Sequence, residues 1–495
     1  MQMPEPDRAV IARRREIAAD LARLLPADAV IEPEEERRAY ETDGLTAYRG
    51  IPLLVALPRT TAEVSAVLAY CHQQGIKVVP RGAGTSLSGG ALPLEDGLLL
   101  GMARFNRILE IDLENRVVVA QPGVTNLAIT EAVTAEGFYY APDPSSQIAC
   151  TIGGNVAENS GGVHCLKYGL TTNNLLGVEM VLIDGRVIRL GGKALDAAGY
   201  DLLGIVTGSE GLLGVVTEVT VRILKRPETA RALLLGFPSN ASAGDCVGKV
   251  IAAGIIPAGM EMMDRPAIHA AEDFVHAGYP RDAEALIIVE LDGPEAEVAA
   301  LIEQVAGIAK ACGAVSVTAS RDEAERLKFW AGRKAAFPAV GRISPDYYCM
   351  DGTIPRRELP HVLAEMAKLS ERHGLRVANV FHAGDGNLHP LILYDANRPG
   401  EIERAEAFGA DILRLCVAVG GVLTGEHGVG VEKRDLMGVM FEERDLAQQQ
   451  RLKCAFDAGG LLNPGKVFPT LHRCAELGRL HVHAGRLPHP ELPRF

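Results

Sequence analysis

The nine cysteines, at 71, 150, 165, 246, 312, 349, 416, 454 and 474, include no Cys-x-x-Cys pair. That absence argues against an iron–sulfur cluster or a zinc ribbon built from this chain alone, and favours free, mostly buried thiols. No window of about 18 uncharged apolar residues occurs, so no transmembrane helix is expected. The opening MQMPEPD is acidic and broken by proline, unlike a signal peptide. Arg13-Arg14-Arg15 is followed by Glu16, Asp20 and Arg23, which reads as an amphipathic helix rather than a twin-arginine leader. Nor is there a basic block: 50 Lys and Arg stand against 63 Asp and Glu, a net charge of −13. Such a chain repels phosphate backbones, and no nucleic-acid partner is expected. The expectation is a cytoplasmic protein, with any membrane contact peripheral and at the inner face.

The length of 495 residues fits two to four domains, and 47% hydrophobic residues supply large cores. Glycine is in excess, at 53 residues or about 11% against a usual ~7%. No collagen-like period accompanies it, so these glycines belong in turns or where backbone meets a ligand.

Residues 8–25 have a helical pattern, and Leu53, Val55 and Leu57 alternate as a strand. Thr60 and Glu63 form a capping box that opens a helix running to about Gly75, followed by a strand at Lys77-Val78-Val79. Val117–Ala120 reads as a strand, Glu179–Ile183 and Arg186–Leu190 as a hairpin about Asp184-Gly185, and Val215–Leu224 as a further strand. The composition shifts at Lys225-Arg226-Pro227-Glu228. Beyond it a strand at Ala285–Leu291 and helical patterns at 295–312, 358–373, 400–418 and 440–457 suggest a second α+β unit. The expected division is an N-terminal helical segment over 1–50, domains over 51–226 and 227–470, and a poorly ordered tail over 471–495. Four histidines in that tail, His472, His481, His483 and His489, fit a solvated segment better than a second metal site.

The glycines concentrate in four places: Pro80–Gly90, Thr151–Gly162, Gly208–Gly214 and Gly384–Asn387. The first follows a strand and begins Gly-x-Gly, yet Leu87 stands at the third glycine of a Rossmann loop, and the Gly- and Pro-rich residues beyond it cannot open a helix. Gly460-Leu-Leu-Asn-Pro-Gly465-Lys466 has Walker A spacing, but Val467 replaces the magnesium-binding hydroxyl and Pro469 stops the helix. Both nucleotide loops being excluded, Pro80–Gly90 is a loop rich in amides and hydroxyls, which can nest a diphosphate without a helix dipole. Small residues on several loops, Pro142–Ser146 included, suit one long, flat cofactor lying against backbone.

His382 and His389 flank a Gly-Asp-Gly-Asn turn, and Glu426-His427 lies nearly forty residues on. On one unbroken strand, residues seven apart would face opposite sides, whereas the turn can return both rings to one site. Two imidazoles and a carboxylate leave an open position, as a catalytic Zn²⁺ site does. The plain alternative is a set of unrelated structural histidines.

The ordered motifs PRGAGTSLSGG, PDPSS, TIGGNVAENSGG, Tyr168-Gly169 and GSEGLLG resemble the FAD-linked oxidases of the vanillyl-alcohol oxidase/p-cresol methylhydroxylase superfamily. FHAGDGNLH and TGEHGVG are similar to its branch of D-lactate and D-2-hydroxyglutarate dehydrogenases, and the run 333–357 looks most like the flavin subunits of bacterial glycolate oxidases. The resemblance covers about 30–470. It implies an α+β fold, with a PCMH-type FAD-binding domain of two subdomains followed by a cap domain. It further implies that Arg81, Gly82, Ala83, Gly84, Thr85, Ser86 and Ser88 hold the diphosphate. Pro144, Ser145, Ser146, Gly153, Gly154 and Asn155 would line the flavin. Asn159, Gly161, Glu210, Gly211 and Val216 would lie near the isoalloxazine or adenosine ends, with Asn463 and Lys466 folding back from the C-terminus. The first loop has no histidine, so non-covalent FAD is expected.

The same resemblance makes His382, His389 and Glu426 ligands of a divalent metal, usually zinc, with His427 the base and Arg333 the clamp on the substrate carboxylate. Lys334 and Tyr347 are further contacts. Where the hydroxyglutarate branch carries Thr and Lys, this chain has Phe337 and Cys349, which fits a small 2-hydroxy acid, glycolate or D-lactate. Electrons leaving the flavin would pass to a partner subunit bearing iron–sulfur clusters, beside a second flavin-type subunit. A stand-alone D-lactate dehydrogenase and a non-catalytic flavin-binding scaffold are the competing readings.

Overall fold

A computed structural model describes residues 3–194 and 199–469. The expected tail at 471–495, with its four histidines, lies outside the described residues.

Two small sheets occupy the part before residue 225. The first has four strands in the order Val30–Ile31, Leu54–Ala56, Gly97–Gly101 and Lys77–Arg81, the last three mutually parallel. Its parallel pairs need a crossover, which the helix Thr61–Gln74 supplies. That helix starts where the Thr60 side chain accepts the Glu63 amide, and it ends at Gly75 with φ of 67°, a left-handed cap. The residues before 51 are not an appendage: Val30–Ile31 pairs with Leu54–Ala56, and Ile17 and Leu21 are buried in this sheet's core.

The second sheet is antiparallel with five strands, Ile108–Asp112, Val117–Ala120, Val215–Arg222, Leu175–Val181 and Val187–Gly191. The hairpin about Asp184-Gly185 is present, with Gly185 at φ of 86°. Asn126–Val133 and Ile152–Glu158 pack on this sheet. The second glycine cluster is therefore partly helical, Gly153 and Gly154 lying in the first turn of Ile152–Glu158 rather than in a loop.

Beyond residue 226 a single seven-stranded antiparallel sheet carries helices on both faces. Double coverage explains why its interior strand Ala285–Gly293 reads as a continuous apolar run instead of an alternating one. Ile287, Val289 and Leu291 enter the core beneath the helices Asn240–Ala252, Glu295–Ala311, Leu359–His373 and Glu401–Ala418. Leu286 and Ile288 enter the opposite core, beneath Arg265–Val275 and Glu323–Val340. The chain then returns to the first sheet, where Leu462 bridges Val78 and the Asn463 amide donates to the Val78 carbonyl.

No helix among the described residues is long and apolar enough to cross a membrane. Seven of the described cysteines are free thiols, six of them buried.

Candidate active site

A cavity of about 590 Å³ runs between the two small sheets and ends against the cap, within the usual range of cofactor sites. Arg81, Gly82, Ala83, Gly84, Thr85 and Ser86 line one wall; Pro144, Ser145, Ser146, Gly153, Gly154 and Asn155 line another, and Glu210, Gly211 and Val216 close it. These walls are backbone and small side chains because larger ones do not fit. A Cβ on Gly82 would come within 2.3 Å of Thr151 Oγ1, and one on Gly153 within 2.4 Å of Pro122 Cβ. Gly84 sits at φ of +72° with the Arg81 guanidinium folded over it. Open backbone, clustered amides and hydroxyls fit a flat cofactor with a diphosphate.

Four expected cofactor residues, and Lys466 with them, do not line the cavity. The buried Ser88 hydroxyl lies 3.2 Å from that of Ser86. Asn159 is the left-handed cap of Ile152–Glu158, its side chain accepting the Thr172 amide. Asn463 is buried and donates to the carbonyls of Gly90 and Glu210, while Lys466 donates to the Leu92 carbonyl, so this segment braces the cavity from behind. The Gly161 amide donates to Glu426 Oε2 at 3.1 Å, which ties the flavin-side loop to the cap.

At the cap end, the strands Val377–Phe381 and Pro390–Tyr394 form a hairpin in which Ala378 faces Leu391 and His382 bridges Asn387. The turn is shaped by Asp385, whose side chain accepts the Asn387 amide, and by Gly386 at φ of 88°. In that register His389 sits opposite Val380, one diagonal step from His382 on the same face. The ring centroids are 4.9 Å apart. Glu426 arrives from the loop after Glu401–Ala418, and one ligand atom from each of His382, His389 and Glu426 lies within 4.8 Å of the others.

That loop is held by Asp351, fully buried, whose carboxylate accepts the backbone amides of Gly425, Glu426 and His427 and pairs with the buried Lys433. Glu210 braces the next residues by accepting the amides of Val429 and Gly430, each at 2.7 Å. His427 then stacks flat on His389, with centroids 4.9 Å apart and planes 4° from parallel. Burial pushes His427 down to about 4, against the opposing pull of Asp351, so its imidazole is neutral and able to accept a proton. Burial alone would raise Glu426, but the adjacent His382 and His389 hold it well below the usual carboxylate range.

Both ring nitrogens of His389 are buried without a hydrogen-bond partner, although Nε2 lies 3.2 Å from Glu426 Oε1. Buried polar atoms left in this way call for a partner, and a divalent cation is one that two imidazoles and a carboxylate fit. His389, Glu426 and His427 all line the same cavity as the glycine loops, so the two halves of the site share one space. His382 lies behind them, buried.

Arg333 is placed differently from a clamp on the cavity wall. It is 2% exposed, does not line the cavity, and its guanidinium pairs with Glu261. From the same helix, Lys334 and Phe337 do line it, Phe337 standing edge-on to His389 at 6.1 Å. Cys349 is buried, and Tyr347 packs edge-on against Phe337. Two residues the sequence did not single out belong to the site. Gly44 lines the cavity from the N-terminal segment, and so does Glu158, whose Oε2 is buried without a partner. Burial, then the nearby Glu210, raises Glu158 well above the usual carboxyl range. Glu158 lies within the AENSGG motif, but its buried setting is visible only in three dimensions.

Comparison with known proteins places this geometry. Residues 52–191 match the family described as "FAD binding domain", and residues 226–467 match "FAD linked oxidases, C-terminal domain". The chain belongs to the FAD-linked oxidase family. It is 60% identical over 482 residues to the glycolate oxidase subunit GlcD of Escherichia coli, covering 97% of each chain. The GlcD subunit of Bacillus subtilis is 40% identical, covering 87% of this chain and 92% of that one. A D-lactate dehydrogenase of Archaeoglobus fulgidus is 33% identical, covering 89% and 97%. Among solved structures, p-cresol methylhydroxylase superposes with a TM-score of 0.80 at 16% identity, covering 93% of this chain and 97% of that one. A 4-ethylphenol oxidase from Gulosibacter chungangensis also gives 0.80, at 17% identity, covering 96% and 100%. These likenesses show the PCMH-type α+β fold, and the family membership makes this chain an FAD-dependent oxidoreductase.

Proposed function

We propose that this FAD-linked oxidase converts a small 2-hydroxy acid to the 2-oxo acid, glycolate to glyoxylate in the first instance, as the flavin subunit of a larger glycolate-oxidising assembly. One observation carries the reading: a single cavity joins the backbone-lined flavin walls to His389, Glu426 and His427. The order of substrates takes its lead from the GlcD relatives at 60% and 40% identity, ahead of the D-lactate dehydrogenase at 33%. Phe337 puts an apolar ring on the cavity wall beside His389, which suits a substrate with a single carboxylate.

His382, His389 and Glu426 would hold the divalent metal, zinc being the natural choice for an N₂O donor set. When bound, the metal would supply Lewis-acid polarisation of the substrate hydroxyl, and the flavin would supply an acceptor for the hydride from C2. His427 accepts the hydroxyl proton at Nε2, which lies 3.9 Å from Glu426 Oε1 and so on the metal side of the ring. Asp351 Oδ2, 4.0 Å from Nδ1, stabilises the imidazolium that results. Among the described residues two cations line the cavity, Arg81 in the first glycine loop and Lys334 on the cap helix, and Lys334, on the helix that carries Phe337, is the one able to meet the substrate carboxylate. The backbone-lined flavin walls and the stacked imidazoles keep the reacting carbon between base and cofactor. Reducing equivalents then pass to an iron–sulfur subunit, with a second flavin-type subunit alongside, in a cytoplasmic assembly that touches the membrane at most peripherally.

Anaerobic mixing with substrate tests this directly. Glycolate is expected to bleach the bound flavin faster than D-lactate does; fast D-lactate and negligible glycolate reduction would move the chain to the D-lactate dehydrogenases.

A further inference from the structure

The two histidines of the centre are oriented by different means. His389 is fixed by packing, stacked on His427 and edge-on to Phe337, with no hydrogen bond at either nitrogen among the described residues. His382 is fixed by a carboxylate: its Nδ1 lies 2.7 Å from Glu261 Oε1, while Nε2 points to Glu426 Oε1 at 3.3 Å. Glu261 is 1% exposed, and its other oxygen accepts from Arg333 Nε at 2.8 Å with the terminal nitrogen at 2.7 Å.

The fold explains how these three meet. Gly259–Asp264 is the neighbour of Val377–Phe381 in the cap sheet, with Met262 opposite Phe381 and Met263 opposite Val380. Met262 and Phe381 enter one core, so the alternation sends Glu261 and His382 to the other face. That face is covered by the helix Glu323–Val340, which brings Arg333. Two charges so deeply buried are costly to keep unless each has a task or a partner.

We propose that Glu261 is a positioning residue for the metal centre, held in place by Arg333. The inference rests on the metal reading given above. A neutral imidazole has one donor and one acceptor nitrogen. With Nδ1–H donating to Glu261, the lone pair is left on Nε2, the nitrogen facing Glu426, and the ring cannot rotate away. The carboxylate also raises the donor strength of the ring. Arg333 keeps Glu261 from turning and neutralises a charge that would otherwise stand alone in an apolar core.

The experiment is a zinc competition against a chromophoric chelator, on the full-length protein loaded with FAD. Glu261→Gln removes the charge and keeps the shape. The double variant Glu261→Gln/Arg333→Met also removes the orphaned guanidinium, so the fold is not left holding one buried ion. Both are expected to bind zinc about 10–100-fold more weakly than the parent, with flavin content and the visible spectrum unchanged. Arg333→Met alone is expected to weaken zinc as well, because Glu261 is then free to turn. Parent-like zinc affinity in Glu261→Gln and in the double variant overturns the proposal, and parent-like zinc affinity in Arg333→Met removes the part of Arg333 in it. A parent protein that takes up no zinc refutes the metal reading itself, a result separable from either.

Discussion

Residues 81–86 present amides, hydroxyls and a glycine at φ of +72° to the cavity, whereas residues 382–427 present two imidazoles and a carboxylate, with the imidazole of His382 behind them. The first wall works by what it leaves out. Its glycines stand where a Cβ would strike Thr151 or Arg81, so its shape is set by backbone and tolerates little addition. The second wall works by what stands behind it. Asp351 fixes the Glu426-His427 backbone, Glu261 fixes His382, and Lys433 and Arg333 balance those carboxylates. One surface is rigid because it is nearly bare, the other because each charged group is held by another. The two should therefore fail separately when changed.

The largest effect is expected on the backbone side. Gly84→Val forces a β-branched residue into a left-handed conformation and against Arg81, with strain of about 1–3 kcal/mol before any clash is counted. The variant should purify with little flavin colour and no turnover, and FAD titration should show at least about tenfold weaker binding. Its zinc content should match the parent's. Loss of both cofactors together would break the distinction between the walls.

His427→Ala tests the other side. Its ring contacts neither Asp351 nor Glu426 closely, at 4.0 and 3.9 Å, so its removal should leave both in place. A fall of about 10²–10⁴-fold in kcat, with flavin and zinc retained, is the expected result for a lost general base. Unchanged turnover would remove the base assignment and strengthen the reading of the chain as a flavin-binding scaffold.

The difference between the walls also explains what the sequence could show. Glycine density and the order of the motifs marked the flavin side, because a bare surface is itself a compositional signal. His382, His389, Glu426 and His427 were legible through the turn that separates the first pair. Local rules also located the helix from Thr60 to Gly75 and the hairpin about Gly185. Glu261 was not legible: it is a lone acid in the apolar strand Gly259–Asp264, and its partner His382 lies 121 residues away. The pairing of Arg333 was hidden for the same reason, since only the sheet order brings Glu261 to it from 72 residues upstream. The strands Gly259–Asp264, Val377–Phe381 and Pro390–Tyr394 escaped notice because burial on both faces erases the period-two pattern. Outer supports of this kind are non-local, and a single sequence does not print them.

The smallest effect probes the seam where the walls meet. Phe337 lines the cavity from the cap helix, edge-on to His389 and to Tyr347. Phe337→Thr removes the ring and leaves a hydroxyl in its place. If Phe337 limits substrate length, kcat/KM for D-2-hydroxyglutarate relative to glycolate should rise by about tenfold, the scale on which a pocket discriminates by a few carbon atoms. Glycolate turnover itself should fall only a few-fold, because neither His427 nor the metal ligands depend on the ring for hydrogen bonds. The packing loss should appear as a lower Tm, measured alongside so that instability is not mistaken for altered specificity. An unchanged ratio in a well-folded variant would mean that the substrate does not extend toward this helix. The carboxylate would then lie on the flavin-domain side of the cavity, and Lys334 would lose its proposed role together with Phe337.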